Sequence, residues 1–198
     1  GCTVRHLLDM SVGISFTEDY VDPDGDVARY RRAAGWDVIK PGQSTMALRE
    51  FLGTQKPDGK KHGHAFHYVS TNTDLLGWVY ERAAGRALSD ILGEWLWTPL
   101  GAETEAYITV DAEGAMRAAG GICAGVRDLA RFGEMIRQRG VAGGRQVVPG
   151  WWIDDINANG DPQAWARGEF AAMFPDSHYR SKFYQIDRKR RTLACIEL

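Results

Sequence analysis

The chain has 198 residues, 44% hydrophobic and 25% charged, which suffices for one hydrophobic core and fits a globular protein. A net charge of −2 gives no electrostatic case for nucleic acid or an anionic membrane, and no apolar run approaches the roughly 18 residues a membrane helix needs. It opens on Gly1-Cys2-Thr3, without methionine, basic leader or signal-like apolar stretch, as expected of a trimmed product or a missing beginning.

Thr3 is placed to cap a short helix with Val4, Leu7, Leu8 and Met10 as its apolar positions. The stretch 16–25 is acidic around Pro23-Asp24-Gly25 and reads as a loop. A helical pattern follows over about 27–34 and stops at Gly35. Ser44 is placed to cap another helix carrying Met46, Leu48, Phe51 and Leu52, and 56–63 is a polar surface turn. The clearest helix then begins. Thr71 and Asp74 stand in capping-box spacing, Leu75, Leu76, Val79 and Ala83 form an apolar face, and Gly85 supplies a left-handed stop.

A further helix is predicted over about 88–97, ending at Pro99-Leu100-Gly101, and Tyr107-Ile108-Thr109-Val110 is β-prone. Ala118-Ala119-Gly120-Gly121 is a small-residue turn that lets backbone approach something closely. Over 126–139 the pattern is strongly amphipathic, with Leu129, Phe132, Met135 and Ile136 inward and Arg127, Asp128, Arg131 and Glu134 outward. Pro149 starts a helix with Trp152, Ile153 and Ile156. Near the end, Phe183-Tyr184-Gln185-Ile186 and Thr192-Leu193-Ala194-Cys195-Ile196 flank a charged turn, giving a β-hairpin. A hairpin alone is marginal, and its second strand stops at Leu198, so the chain reads as cut there too.

Three cysteines, Cys2, Cys123 and Cys195, are too scattered for a disulfide scaffold or a metal pair, and are expected to be small buried residues. They favour a reducing compartment such as the cytoplasm over an oxidising one, and the sequence leaves the location itself open. Seven tryptophans and seven tyrosines are rich for this length, as core or as pocket lining. His62, His64 and His67 match neither a helical pair nor a finger spacing, and the acidic loop lacks the closing glutamate of a calcium loop. No metal and no cofactor is expected.

Tyr68 and Ser70 carry the chemical interest. Two residues apart in an extended segment, they face the same way, just before a helix whose N-terminal potential favours a phenolate or oxyanion. A tyrosine is a poor base near neutral pH unless a cation lowers its pKa. A buried, satisfied tyrosine and a turn-starting serine is the competing reading. No nucleophile is evident: no serine precedes a lysine by three residues, and there is no Gly-x-Ser-x-Gly elbow.

Several segments, taken together, resemble the penicillin-recognising serine hydrolases: class C β-lactamases, DD-peptidases and related esterases. Thr3-Val4-Arg5-His6-Leu7-Leu8-Asp9-Met10 is similar to the helix that follows the nucleophile there, and Tyr68-Val69-Ser70 to the Tyr-x-Asn or Tyr-x-Ser motif. Leu75-Leu76-Gly77, Pro99-Leu100-Gly101, Ala119-Gly120-Gly121 and Arg127-Asp128-Leu129-Ala130-Arg131-Phe132-Gly133 fit in order. Within the class, Glu18-Asp19-Tyr20-Val21-Asp22-Pro23 and Ile108-Thr109-Val110-Asp111 resemble the 6-aminohexanoate-dimer hydrolase and carboxylesterase group.

The resemblance implies a mostly α fold with a small antiparallel β part: a helical lobe over about 1–160 and a returning hairpin over about 179–198. It implies an acyl-enzyme on a Ser-x-x-Lys serine, with Tyr68 as general base, Ser70 ordering the lysine–tyrosine network, and Tyr20 and Ala119 lining the pocket. The expected partner is a small ester or amide substrate, not nucleic acid or membrane, with the oligomeric state open. The Ser-x-x-Lys and closing-strand motifs are absent from this chain, so it is expected to be inactive alone. A non-catalytic binding or regulatory module, or a β-lactamase or DD-peptidase proper, are the alternatives. Arg31, after Tyr20, would disfavour an ammonium-bearing substrate if it faces the pocket.

Overall fold

A computed structural model describes residues 1–187 and 192–194. Helices dominate: α1 (Val4–Leu8), α2 (Asp26–Ala33), α3 (Leu48–Gly53), α4 (Ser70–Ala84), α5 (Leu88–Leu92), α6 (Thr98–Leu100), α7 (Val126–Arg137), α8 (Gly150–Ala158) and α9 (Pro162–Ala166). The strands are short: β1 (Tyr107–Ile108) pairs antiparallel with β2 (Ile122–Cys123), β3 (Val141–Ala142) with β4 (Arg145–Gln146), and β5 (His178–Arg180), β6 (Phe183–Asp187) and β7 (Thr192–Ala194) form one antiparallel sheet. No helix among the described residues is long and apolar enough to cross a membrane.

Local signals set several of these elements. Thr3 caps α1, and His6 at the third position reaches back to the Thr3 N–H, closing a capping box. Gly85 ends α4 at φ 64°, a left-handed position that favours glycine. The predicted helix from Leu88 runs on through a π-helical turn, Gly93–Trp97, into α6, and stops at Gly101 with φ 72°. The expected hairpin forms between β6 and β7, with Tyr184 opposite Ala194. Residues 188–190, Cys195 and Ile196 lie outside the described residues. The sequence pattern missed β5, which flanks β6 with Tyr179 opposite Tyr184.

Other local expectations yield to tertiary contacts. Ser44 does not cap α3: the helix begins at Leu48, whose N–H donates to the Asp111 carboxylate at 2.8 Å. The Thr71–Asp74 box does not form. Instead α4 starts two residues earlier, at Ser70 with Val69 in the cap position, and Asp74 turns into the core. Of the expected apolar face, Leu76 is buried, Leu75 and Val79 are half-buried and Ala83 is exposed, while Thr71, Asn72, Thr73 and Asp74 are all buried, so the first turn of α4 buries polar side chains beside that face. Asp128, expected outward on α7, is buried and accepts from the Glu103 and Thr104 N–H groups and the Thr104 hydroxyl. Cys2 and Cys123, expected buried, are exposed.

The core falls into three clusters. Phe16, Val27, Tyr30, Leu48, Phe51 and Val69 join α2 and α3 to the segment before α4. Met10, Phe66, Trp165, Tyr179 and Tyr184 join that segment to α9 and the three-stranded sheet. Leu7, Leu8, Val12 and Leu76 seat α1 on α4. The segment 66–69 therefore runs between two cores. Its backbone is held on both sides: Phe66 N–H donates to Ala164 C=O, His67 N–H to Met10 C=O, and the Tyr68 N–H to the Glu169 carboxylate at 2.7 Å.

Candidate active site

This clamped segment delivers Tyr68 and Ser70 to one cleft. Val69, between them, is extended at φ −144° and fully buried, so its neighbours are aimed away from the core that anchors it. The cleft, of about 280 Å³, is lined by Tyr68, Ser70, Tyr20 and Ala119, all four residues singled out in the sequence. Val27, Tyr30 and Arg31 complete one wall from α2, where their helical spacing puts them on a common face. Trp36, Arg117, Gly120 and Glu18 close the rest.

Glu18 ties the Tyr20 loop to the start of α4. One carboxylate oxygen accepts the Ser70 N–H at 2.7 Å, the other the Tyr20 hydroxyl at 2.6 Å. The helix has no side-chain cap of its own, so this carboxylate satisfies a first-turn amide where negative charge is favoured. Burial, followed by the bond to Glu18 and its charge, pushes the Tyr20 phenol up to about 12, against the opposing pull of Ser70 and Arg31. Tyr20 is thus a neutral donor at physiological pH, and its remaining chemistry is contact.

Behind the cleft lies a buried charge cluster. The Asp74 and Arg117 side chains are 0% and 1% exposed, with Arg117 Nε 3.4 Å from Asp74 Oδ2. Asp74 also accepts the Tyr30 hydroxyl at 2.5 Å and the Ala118 and Ala119 N–H groups at 2.7 and 2.9 Å. Arg117 donates to the Tyr30 hydroxyl at 2.7 Å and to Ala119 C=O at 2.8 Å, and its guanidinium lies 4.0 Å from the centre of the Trp36 ring. Burial pushes the Asp74 carboxyl above its ordinary value, while Arg117 and then Tyr30 and the two amides pull it back. Both backbone polar groups of Ala119 are consumed here. What Ala119 offers the cleft is a small, immobile wall.

Sequence reasoning missed Glu18, Tyr30, Trp36, Asp74 and Arg117. Asp74 escapes such reasoning because a carboxylate three residues after a threonine mimics a cap, and its partners lie 43 to 45 positions away. Two of the three loop histidines serve the backbone: the His62 ring accepts the Gly13 N–H, and the His67 ring bonds Phe16 C=O. Asp19, Asp22 and Asp26 likewise accept N–H groups of their own loop. Among the described residues there is no group of three or more histidines, cysteines or acids able to hold a metal ion.

The Beta-lactamase family model matches residues 1–176. The chain belongs to the beta-lactamase family. A family relative, the 6-aminohexanoate-dimer hydrolase of Paenarthrobacter ureafaciens, is 37% identical over 196 residues, covering 99% of this chain and 49% of the relative. The chain therefore spans about half the length of the curated relative it matches. A Bacillus anthracis structure described as a 6-aminohexanoate-dimer hydrolase superposes with TM-score 0.84 at 21% identity, covering 99% of this chain and 50% of the other. A D-stereospecific amidohydrolase from Streptomyces gives 0.61 at 19% identity, covering 96% and 58%. These likenesses establish the fold, helical with short antiparallel strand pairs, as the family's.

Proposed function

We propose that this chain is the helical lobe, over about 1–160, and returning hairpin, over about 179–198, of a serine hydrolase that cleaves esters or short amides through an acyl-enzyme. The supporting observation is the convergence of Tyr68, Ser70, Tyr20 and Ala119 on a single cleft at the head of α4. In this reading Tyr68 is the general base and then acid. It passes the nucleophile's proton to the leaving group, and a lysine ammonium holds its pKa within reach of neutral pH. The Ser70 hydroxyl, which lies against the Tyr20 phenol, helps order that network. Tyr20 and Ala119 shape the space the acyl group enters.

The serine and lysine of a Ser-x-x-Lys motif are supplied from outside these 198 residues, which contain no such motif, so the chain alone turns over no ester. The test compares this chain with the product of its full coding sequence on p-nitrophenyl acetate and butyrate. The longer protein is expected to be active and to lose about 10²–10⁴-fold in kcat on Tyr68→Phe. Turnover by the isolated chain that Tyr68→Phe abolishes would overturn the reading of the chain as inactive. A full coding sequence without Ser-x-x-Lys instead supports a binding or regulatory module, which the missing motif favours as the second reading. A β-lactamase proper would be acylated by labelled penicillin, and ranks lower because the motif here is Tyr-x-Ser.

A further inference from the structure

A second cavity, of about 600 Å³, is larger than the cleft and lies on another face of α2. Asp26, Arg29 and Arg32, spaced three apart, line it, while Val27, Tyr30 and Arg31 line the cleft. Lys56, beyond α3, and Thr45, before it, add to the polar wall; Met46 and the buried Phe51 are its apolar part. The chain as a whole carries −2, yet this lining sets three cations against one carboxylate. That carboxylate is spent: one Asp26 oxygen lies 2.5 Å from Arg29, and the other accepts the Thr17 N–H at 3.1 Å. Arg32 donates from one terminal nitrogen to Pro23 C=O at 3.1 Å, and neither it nor Lys56 has an acidic partner among the described residues. Two positive charges on separate segments are therefore left without a counter-ion in one cavity. A carboxylate offers two oxygens in one plane, whereas a phosphate ester offers three around a centre and carries nearly two charges. The volume also holds the group to which the phosphate is esterified, with Met46 and Phe51 as the surface it would cover.

We propose that this cavity is a binding site for a phosphate monoester of a small apolar or aromatic group, separate from the cleft and independent of how the cleft is read. The test labels the methionine methyl groups with ¹³C and assigns Met46 with Met46→Leu. Phenyl phosphate, inorganic phosphate and benzoate are then titrated in turn at about pH 7.5, where the ester is a dianion, and at one fixed ionic strength. Phenyl phosphate is expected to shift Met46 saturably. Inorganic phosphate, which lacks the ring, and benzoate, which lacks the second charge, each bind about tenfold more weakly. Arg32→Gln and Lys56→Gln each weaken phenyl phosphate about tenfold, as for loss of one charge-assisted hydrogen bond. Arg127→Gln, which removes an exposed cation from α7, leaves it unchanged. The other methionine resonances report whether each variant is folded. No saturable shift of Met46, or a shift indifferent to both Arg32→Gln and Lys56→Gln, overturns the proposal. So does an equal loss on Arg127→Gln, or phenyl phosphate binding no tighter than inorganic phosphate or benzoate.

Discussion

Replacing Asp74 by asparagine tests whether the wall of the cleft is held by buried charge. The carboxylate and its partner Arg117 are 0% and 1% exposed, so solvent screens neither. Removing one partner of such a pair strands the other and costs about 3–5 kcal/mol. Asparagine keeps one oxygen for the Ala118 and Ala119 amides, so the loss is expected near the lower end, about 3 kcal/mol. That is a large share of the ~5–15 kcal/mol that keeps a domain folded. Urea unfolding followed by tryptophan fluorescence and far-UV circular dichroism measures it, provided the slope with denaturant is unchanged. Arg117→Met should cost a similar amount. The double variant, in which neither charge is stranded, should lose at least about 1 kcal/mol less than the two single losses added. Asp74→Asn within about 1 kcal/mol of the parent, or strictly additive losses, would refute the argument.

Two further outcomes follow from the geometry. An ideal Cβ at Gly121 would lie 2.2 Å from the Arg117 carbonyl oxygen, so Gly121→Ala must move backbone and should cost about 2–3 kcal/mol, read from the urea midpoint. The Thr104 hydroxyl, the Glu103 and Thr104 amides and Arg131 hold the Asp128 carboxyl below its ordinary value. The folded state therefore binds that proton less readily than the unfolded chain. The stability it contributes is full above the unfolded aspartate pKa of about 4 and is lost as pH falls toward the depressed value. The stability gap between the parent and Asp128→Asn should narrow below about pH 4, and a gap that widens on acidification would contradict the assignment.

Much of the helical frame is legible in the sequence because its signals are local. Thr3 before Val4, Gly85 after Ala84 and Pro149 before α8 mark helix ends without reference to anything distant. Tyr68, Ser70, Tyr20 and Ala119 were found through family-like motifs, and the fold does bring them to one cleft. The charged layer behind them was illegible for a physical reason. Helical periodicity assigns charge to the outside, and Asp74 and Asp128 break that rule because each gathers several donors from remote backbone. The same holds for Cys123, which a composition argument buries but a two-residue strand leaves exposed.

The carboxylates that begin α3 and α4 have a kinetic consequence. Asp111 satisfies Leu48 from 63 positions downstream, and Glu18 satisfies Ser70 from 52 positions upstream. Neither helix has a side-chain cap of its own, and α3 has only six residues, too few to persist alone in water. During synthesis α3 must therefore wait for residues around 111 to emerge. Closing such loops costs chain entropy before any contact repays it, which slows folding. α3 and the start of α4, which carries Ser70 into the cleft, are thus ordered by contacts that span a quarter to a third of the chain.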